Sequence, residues 1–132
     1  VLLVAALMLA LLAACGSAAP EGEERGGPGD PDAGRQLFFQ TQEMTGGPTC
    51  STCHTLGPDE PSIVGPNLSG VALRARVRVP EQSAETYLRK SILDPYAHVV
   101  EGYQEGIMVR NYEDYLTPQQ VNDLVAFLLT LE

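Results

Sequence analysis

Cys50-Ser51-Thr52-Cys53-His54 is the stretch that decides how this chain is read. Two thiols separated by two residues project from one side of a tight turn, where they can add to both vinyl groups of a single porphyrin. The imidazole that follows directly falls under the iron of such a ring and ligates it from the proximal side. The pentapeptide predicts one covalently bound haem c, with Cys50 and Cys53 as thioether donors and His54 as the proximal iron ligand. A thiol–disulfide oxidoreductase asks for a βαβ setting, and no strand-rich pattern surrounds this motif. A four-ligand zinc site asks for two more Cys or His. Outside the motif the chain offers only Cys15 and His98.

On the N-terminal side the 132 residues divide by composition. Val1 to Ala14 carry no charge and read as an apolar leader, truncated at its start because Val1 is no initiator and no basic region precedes it. Leu12-Ala13-Ala14-Cys15-Gly16 resembles a bacterial lipobox, which implies lipidation of Cys15 as the new N-terminus. The rival is an uncleaved anchor helix, although the leader falls short of the roughly 20 residues that span a bilayer. Either reading places the chain on the extracytoplasmic, periplasmic side of a bacterial membrane. Residues 15–31 are rich in Gly, Pro and acidic side chains, have little to bury, and read as a flexible linker. Residues 32–132 are left as one globular domain, to whose small core a packed haem adds apolar surface.

Formal net charge is −9, and Lys90 is the one lysine among eight basic residues. So acidic a chain is a poor partner for nucleic acid, and it lacks a lysine ring to steer a mobile carrier. Arg74, Arg76 and Arg78 alternate through Leu73–Val79 and read as the solvated edge of an extended loop. A docking patch and proximity to haem propionates are the other readings.

Three helices follow from caps and spacing. Asp30 suits an N-cap ahead of Pro31 and Asp32, with Ala33, Leu37 and Phe38 as the apolar stripe and Thr45-Gly46-Gly47-Pro48 as the stop. Ser83 to Leu93 repeats Ala84, Leu88 and Ile92 before Asp94-Pro95. Thr117-Pro118-Gln119-Gln120 is a capping box, after which Val121, Leu124, Val125 and Leu128 fall on one face. No alternating run is long enough for a sheet, so the fold class is all-α.

A low-spin carrier needs a sixth iron ligand. Met44 lies only six positions before Cys50 and would need an awkward wrap to reach the opposite face. His98 follows the helix-ending Pro95 and reads as a partly exposed loop histidine. Met108, between the second and third predicted helices, sits on a segment able to pass over the distal face. Its soft thioether suits reduced iron. The competing use of Met108 is as core filler.

From about Asp32 to Leu131 the chain resembles a class I cytochrome c, and is most similar to the mono-haem domains of membrane respiratory complexes, including oxidase subunit II fusions. Gly34, Phe38, the haem motif, Gly65-Pro66-Asn67-Leu68 and Tyr87-Leu88-x-x-Ser91-Ile92-x-x-Pro95 carry the likeness. It continues through Gly102-Tyr103, Met108, Leu116-Thr117 and Asp123–Leu128. The resemblance implies terminal helices that cross with Gly34 and Phe38 against Phe127, and a Pro66 carbonyl that accepts the Nδ1 proton of His54. It departs at Val109, where the family usually has proline after the distal Met. The expected function is one-electron transfer without substrate chemistry, as a membrane-tethered subunit whose partners are the other redox subunits of a respiratory or photosynthetic complex. Alternatives are a tethered shuttle, a haem peroxidase, and a gas or redox sensor. The last two require a displaceable sixth ligand, against which Met108 speaks.

Overall fold

A computed structural model of the chain describes residues 27–40 and 47–132. Four α-helices and two short 3-10 turns make up the regular structure among these residues. Cys15, the leader and Met44 lie outside them.

The first helix, α1, runs Pro31–Phe39, with the Asp30 carboxylate accepting the N–H groups of Asp32 and Ala33. It ends well before Thr45-Gly46-Gly47-Pro48, because Gln40 takes extended backbone and its N–H turns back to the Leu37 carbonyl. The Thr49 hydroxyl donates to the Gln40 carbonyl at 2.6 Å, satisfying a group the helix no longer uses. Ala84–Leu93, here α3, starts at Ser83, whose side chain accepts the Thr86 N–H. The last helix, α4, spans Pro118–Leu129 with both halves of the Thr117–Gln120 capping box formed. Its stripe Val121, Leu124, Val125 and Leu128 is buried as the spacing requires.

One expectation is overturned between these elements. Residues around Arg74, Arg76 and Arg78 form a helix, α2 (Val71–Arg78), not an extended loop. Arg and Val alternate, yet Val71, Ala72 and Ala75 occupy one helical face and are buried, the two alanines completely. Alanine is the best helix former and lets backbones approach closely, so a stripe of small residues replaces the bulky one that periodicity detects. The outer face is left with Leu73 and Val77, the latter 80% exposed.

The helices α1 and α4 cross where α1 has no side chain. A Cβ on Gly34 would fall onto the Asp123 carbonyl oxygen and lie 2.8 Å from the Phe127 Cβ. Phe38 and Phe127 meet edge to face at the same crossing, with centroids 5.7 Å apart. The crossing is fastened by a group that pattern reading overlooked. Asp123 is buried on α4 and accepts the Asp30 N–H at 2.9 Å and the Gln119 side chain at 2.8 Å.

The end of the expected linker is held rather than free. Gln119 donates to the Pro28 carbonyl at 3.0 Å, and Asn122 donates to the Gly27 carbonyl at 2.7 Å. Gly27, Pro28 and Asp30, all within the stretch read as linker, thus hydrogen-bond to side chains of α4. Polar side chains on α4 supply partners for a backbone that cannot bury apolar groups of its own.

Candidate haem site

Thr49 to His54 fold as one tight turn. Cys50–Thr52 is a 3-10 turn, and the Cys50 carbonyl accepts the N–H groups of both Cys53, at 3.1 Å, and His54, at 3.0 Å. That shared acceptor gathers both cysteines and the histidine, which all line a cavity of about 380 Å³. Apolar lining also comes from α3, α4 and the segment that holds Met108, with Leu88, Ile92, Leu124 and Leu128 among its residues. Met108 is half-buried, packs against the core and lines the same cavity.

Burial pushes the Cys50 thiol up to about 11, with the neighbouring Cys53 adding to this against an opposing backbone hydrogen bond. Tyr112, behind the motif, is driven above the ordinary tyrosine range by burial and by the same two cysteines. Its hydroxyl donates to the Pro48 carbonyl at 3.2 Å and pins the chain entering the motif. Both cysteines are free, as thioether formation requires.

The His54 ring is oriented by a bond that also settles its tautomer. Nδ1 lies 2.8 Å from the Pro66 carbonyl oxygen. A carbonyl only accepts, so Nδ1 carries the proton and Nε2 keeps its lone pair for a metal. Burial lowers the His54 pKa against a smaller upward pull from Pro66, which keeps the ring neutral and able to ligate. Gly65 lets the ring fit: a Cβ there would stand 2.5 Å from Cε1 and 2.8 Å from Nδ1. Gly65→Ala should therefore tilt the ring and loosen the Pro66 bond. A weaker bond makes the imidazole a poorer donor to ferric iron, so the midpoint potential should rise. Redox titration checks this; an unchanged potential would mean that the ring has room to spare.

The backbone that follows Pro66 is held by Asn67 and Arg74, to which sequence reasoning gave no such role. The Asn67 side-chain amide donates to Thr55 Oγ1, the Gly57 carbonyl and the Glu60 carbonyl at 2.8–3.0 Å, while its Oδ1 accepts the Ser69 N–H at 2.7 Å. Arg74 reaches back from α2 and donates to the carbonyls of Asn67 and Ser69. The one available signal was Asn after Gly-Pro, a residue whose amide commonly ties local backbone.

His98, the other imidazole, also borders the cavity but is exposed, with its ring edge against Tyr87 at 5.8 Å. Arg74 and Arg78 line the cavity, while Arg76 turns away to Glu132 at 3.0 Å. Two thiols on one rim, a neutral imidazole with its outer nitrogen tied, a thioether in the wall and apolar sides are a donor set that fits haem c. Cys50 and Cys53 are the residues that would hold a single haem here.

The family described as Cytochrome c matches residues 31–132. A cytochrome c2 of Rhodoblastus acidophilus is 44% identical over 46 residues, 35% of this chain and 35% of that protein. The aligned stretch thus spans about a third of that relative's length. The crystal structure of SoxXA from P. pantotrophus matches with a TM-score of 0.48 at 23% identity, over 80% of this chain and 84% of that one. With the family matching residues 31–132, an all-α fold among the described residues and a cavity lined by Cys50, Cys53 and His54, this chain belongs to the cytochrome c family, as a class I c-type cytochrome.

Proposed function

We propose that the chain is a membrane-tethered electron carrier, a subunit of a respiratory or photosynthetic complex on the extracytoplasmic face of a bacterial membrane. The observation that carries the electron-transfer reading is the convergence of His54 and Met108 on one largely apolar cavity beside the two thiols. When bound, haem supplies a one-electron Fe(III)/Fe(II) couple at this place. The residues do the rest. Cys50 and Cys53 would hold the group by thioethers, and His54, with Nδ1 tied to Pro66, would offer Nε2 to its iron. Met108, in the wall of the same cavity, would supply a second, thioether ligand and so keep a substrate from the iron. Leu88, Ile92, Leu124 and Leu128 exclude water and thereby limit reorganisation when the charge changes. Other redox subunits are the partners.

The tether rests on sequence alone. Among the described residues no helix is long and apolar enough to cross a membrane. The lipobox-like Leu12-Ala13-Ala14-Cys15 supplies the anchor instead, and two or more acyl chains on Cys15 give stable attachment where one does not.

The test uses the full chain expressed with its leader. A reversible one-electron titration, with no carbon monoxide binding by the ferrous protein, is the expected result. Ready carbon monoxide binding would support a peroxidase or sensor instead. Cys15→Ser should move the protein from the membrane to the soluble fraction, and mass spectrometry should find acyl chains on Cys15 in the parent. An intact, unmodified leader would replace the lipid with a transmembrane anchor.

A further inference from the structure

Met108 lies on a stretch with little to hold it. No helix forms between Asp94 and Tyr112. Among the described residues the one backbone hydrogen bond within 98–110 joins the Tyr103 N–H to the Val100 carbonyl at 3.1 Å. Gly102 and Gly106 both have positive φ, 88° and 90°, and Val109 leaves its own φ unfixed where a proline would restrict it. A segment of this kind should open easily.

One side chain lies near it before the methionine and stacks with it after. Tyr96, half-buried just beyond α3 and bordering the cavity, lies with its hydroxyl 3.8 Å from where a Cβ on Gly106 would stand. Two residues after Met108, the Arg110 guanidinium carbon sits 4.7 Å from the Tyr96 ring centroid. This is a cation–π contact in geometry and distance. Among the described residues Arg110 forms no ion pair, so its charge is directed at the ring and not at a carboxylate. Tyr96 is in turn anchored by the buried Pro95 that precedes it.

We propose that the Tyr96–Arg110 stack is a latch that positions the Met108 loop against the cavity and slows departure of the thioether from iron. This rests on Met108 being the distal ligand. Arg110 and Tyr96 are positioning residues that never touch the reacting atoms. Opening the loop breaks the stack, so its strength adds to the barrier for losing the ligand.

Cyanide is the probe, because it binds ferric haem only after the methionine has left. In the holoprotein Arg110→Gln and Tyr96→Leu should each speed cyanide association by about two- to five-fold, the size expected of one exposed cation–π contact. Arg110 is exposed, so its replacement leaves folding intact and lowers stability by no more than the loss of one such contact. The double variant should be no faster than the faster single one, and Arg110→Lys, which keeps the cation, should stay near the parent rate. Rates that do not move, or that multiply in the double variant, overturn the latch while the methionine–iron charge-transfer band of the parent still upholds Met108. A parent lacking that band and binding cyanide as fast as Met108→Ala overturns the ligand assignment and the latch together.

Discussion

Phe127→Ala should cost the domain about 3–5 kcal/mol of stability while leaving axial ligation intact in the fraction that folds. Phe127 is buried on α4, at 5% exposure, with its ring against Phe38 and its Cβ beside Gly34. The close approach at Gly34 is what makes the void expensive. Backbones already in contact cannot move nearer to fill it, so both the lost transfer energy and the cavity cost remain. A domain of this size has a total stability of about 5–15 kcal/mol, so the loss is a large share. Covalent haem stays on the unfolded chain, so colour is no measure. Denaturant unfolding followed by circular dichroism and by the methionine–iron band together gives the answer. A change below about 1 kcal/mol, as at exposed sites, would mean that the crossing does not depend on this ring.

The second large effect is expected at the iron. Met108→Ala should leave haem attached through Cys50 and Cys53 and ligated by His54, yet carbon monoxide binding by the ferrous protein should go from undetectable to stoichiometric. Among the described residues that border the cavity, the other soft or imidazole donor away from the haem motif is His98, which is exposed and set against Tyr87. Should Met108→Ala bind no carbon monoxide, His98 would be the first group to examine by a second substitution. Carbon monoxide binding equal in parent and variant would remove Met108 from the iron altogether.

How much of this was legible beforehand depended on the range of the interactions involved. The haem motif could be read because its chemistry is contained in five consecutive residues. The starts of α1, α3 and α4 were legible for the same reason. Asp30, Ser83 and Thr117 each cap a backbone group two or three positions away, so the side chain and its target are neighbours in the sequence. The helix α2 escaped because its buried face is made of Val71, Ala72 and Ala75, while the arginines and Val77 carry the visible alternation. Small side chains signal nothing by hydrophobicity, and their value appears only when another backbone comes close. The Gly34 crossing and the Pro66–His54 bond were expected from family likeness and not from spacing, since a lone glycine or a Gly-Pro pair has many uses.

Covalent chemistry and capping act over a few residues, so the haem c cofactor and the helical class were legible in the chain alone, with Cys50, Cys53 and His54 as the residues proposed to hold the group. Tertiary structure alone decided that Asp123 fastens the Asp30 N–H from 93 positions away and that Asn67 and Arg74 hold the backbone that follows Pro66. It also decided that Tyr96 lies near the methionine segment before Met108 and stacks with Arg110 after it. In each case a polar or charged group is worth little until folding brings its partner to within bonding distance and excludes the water that would otherwise compete.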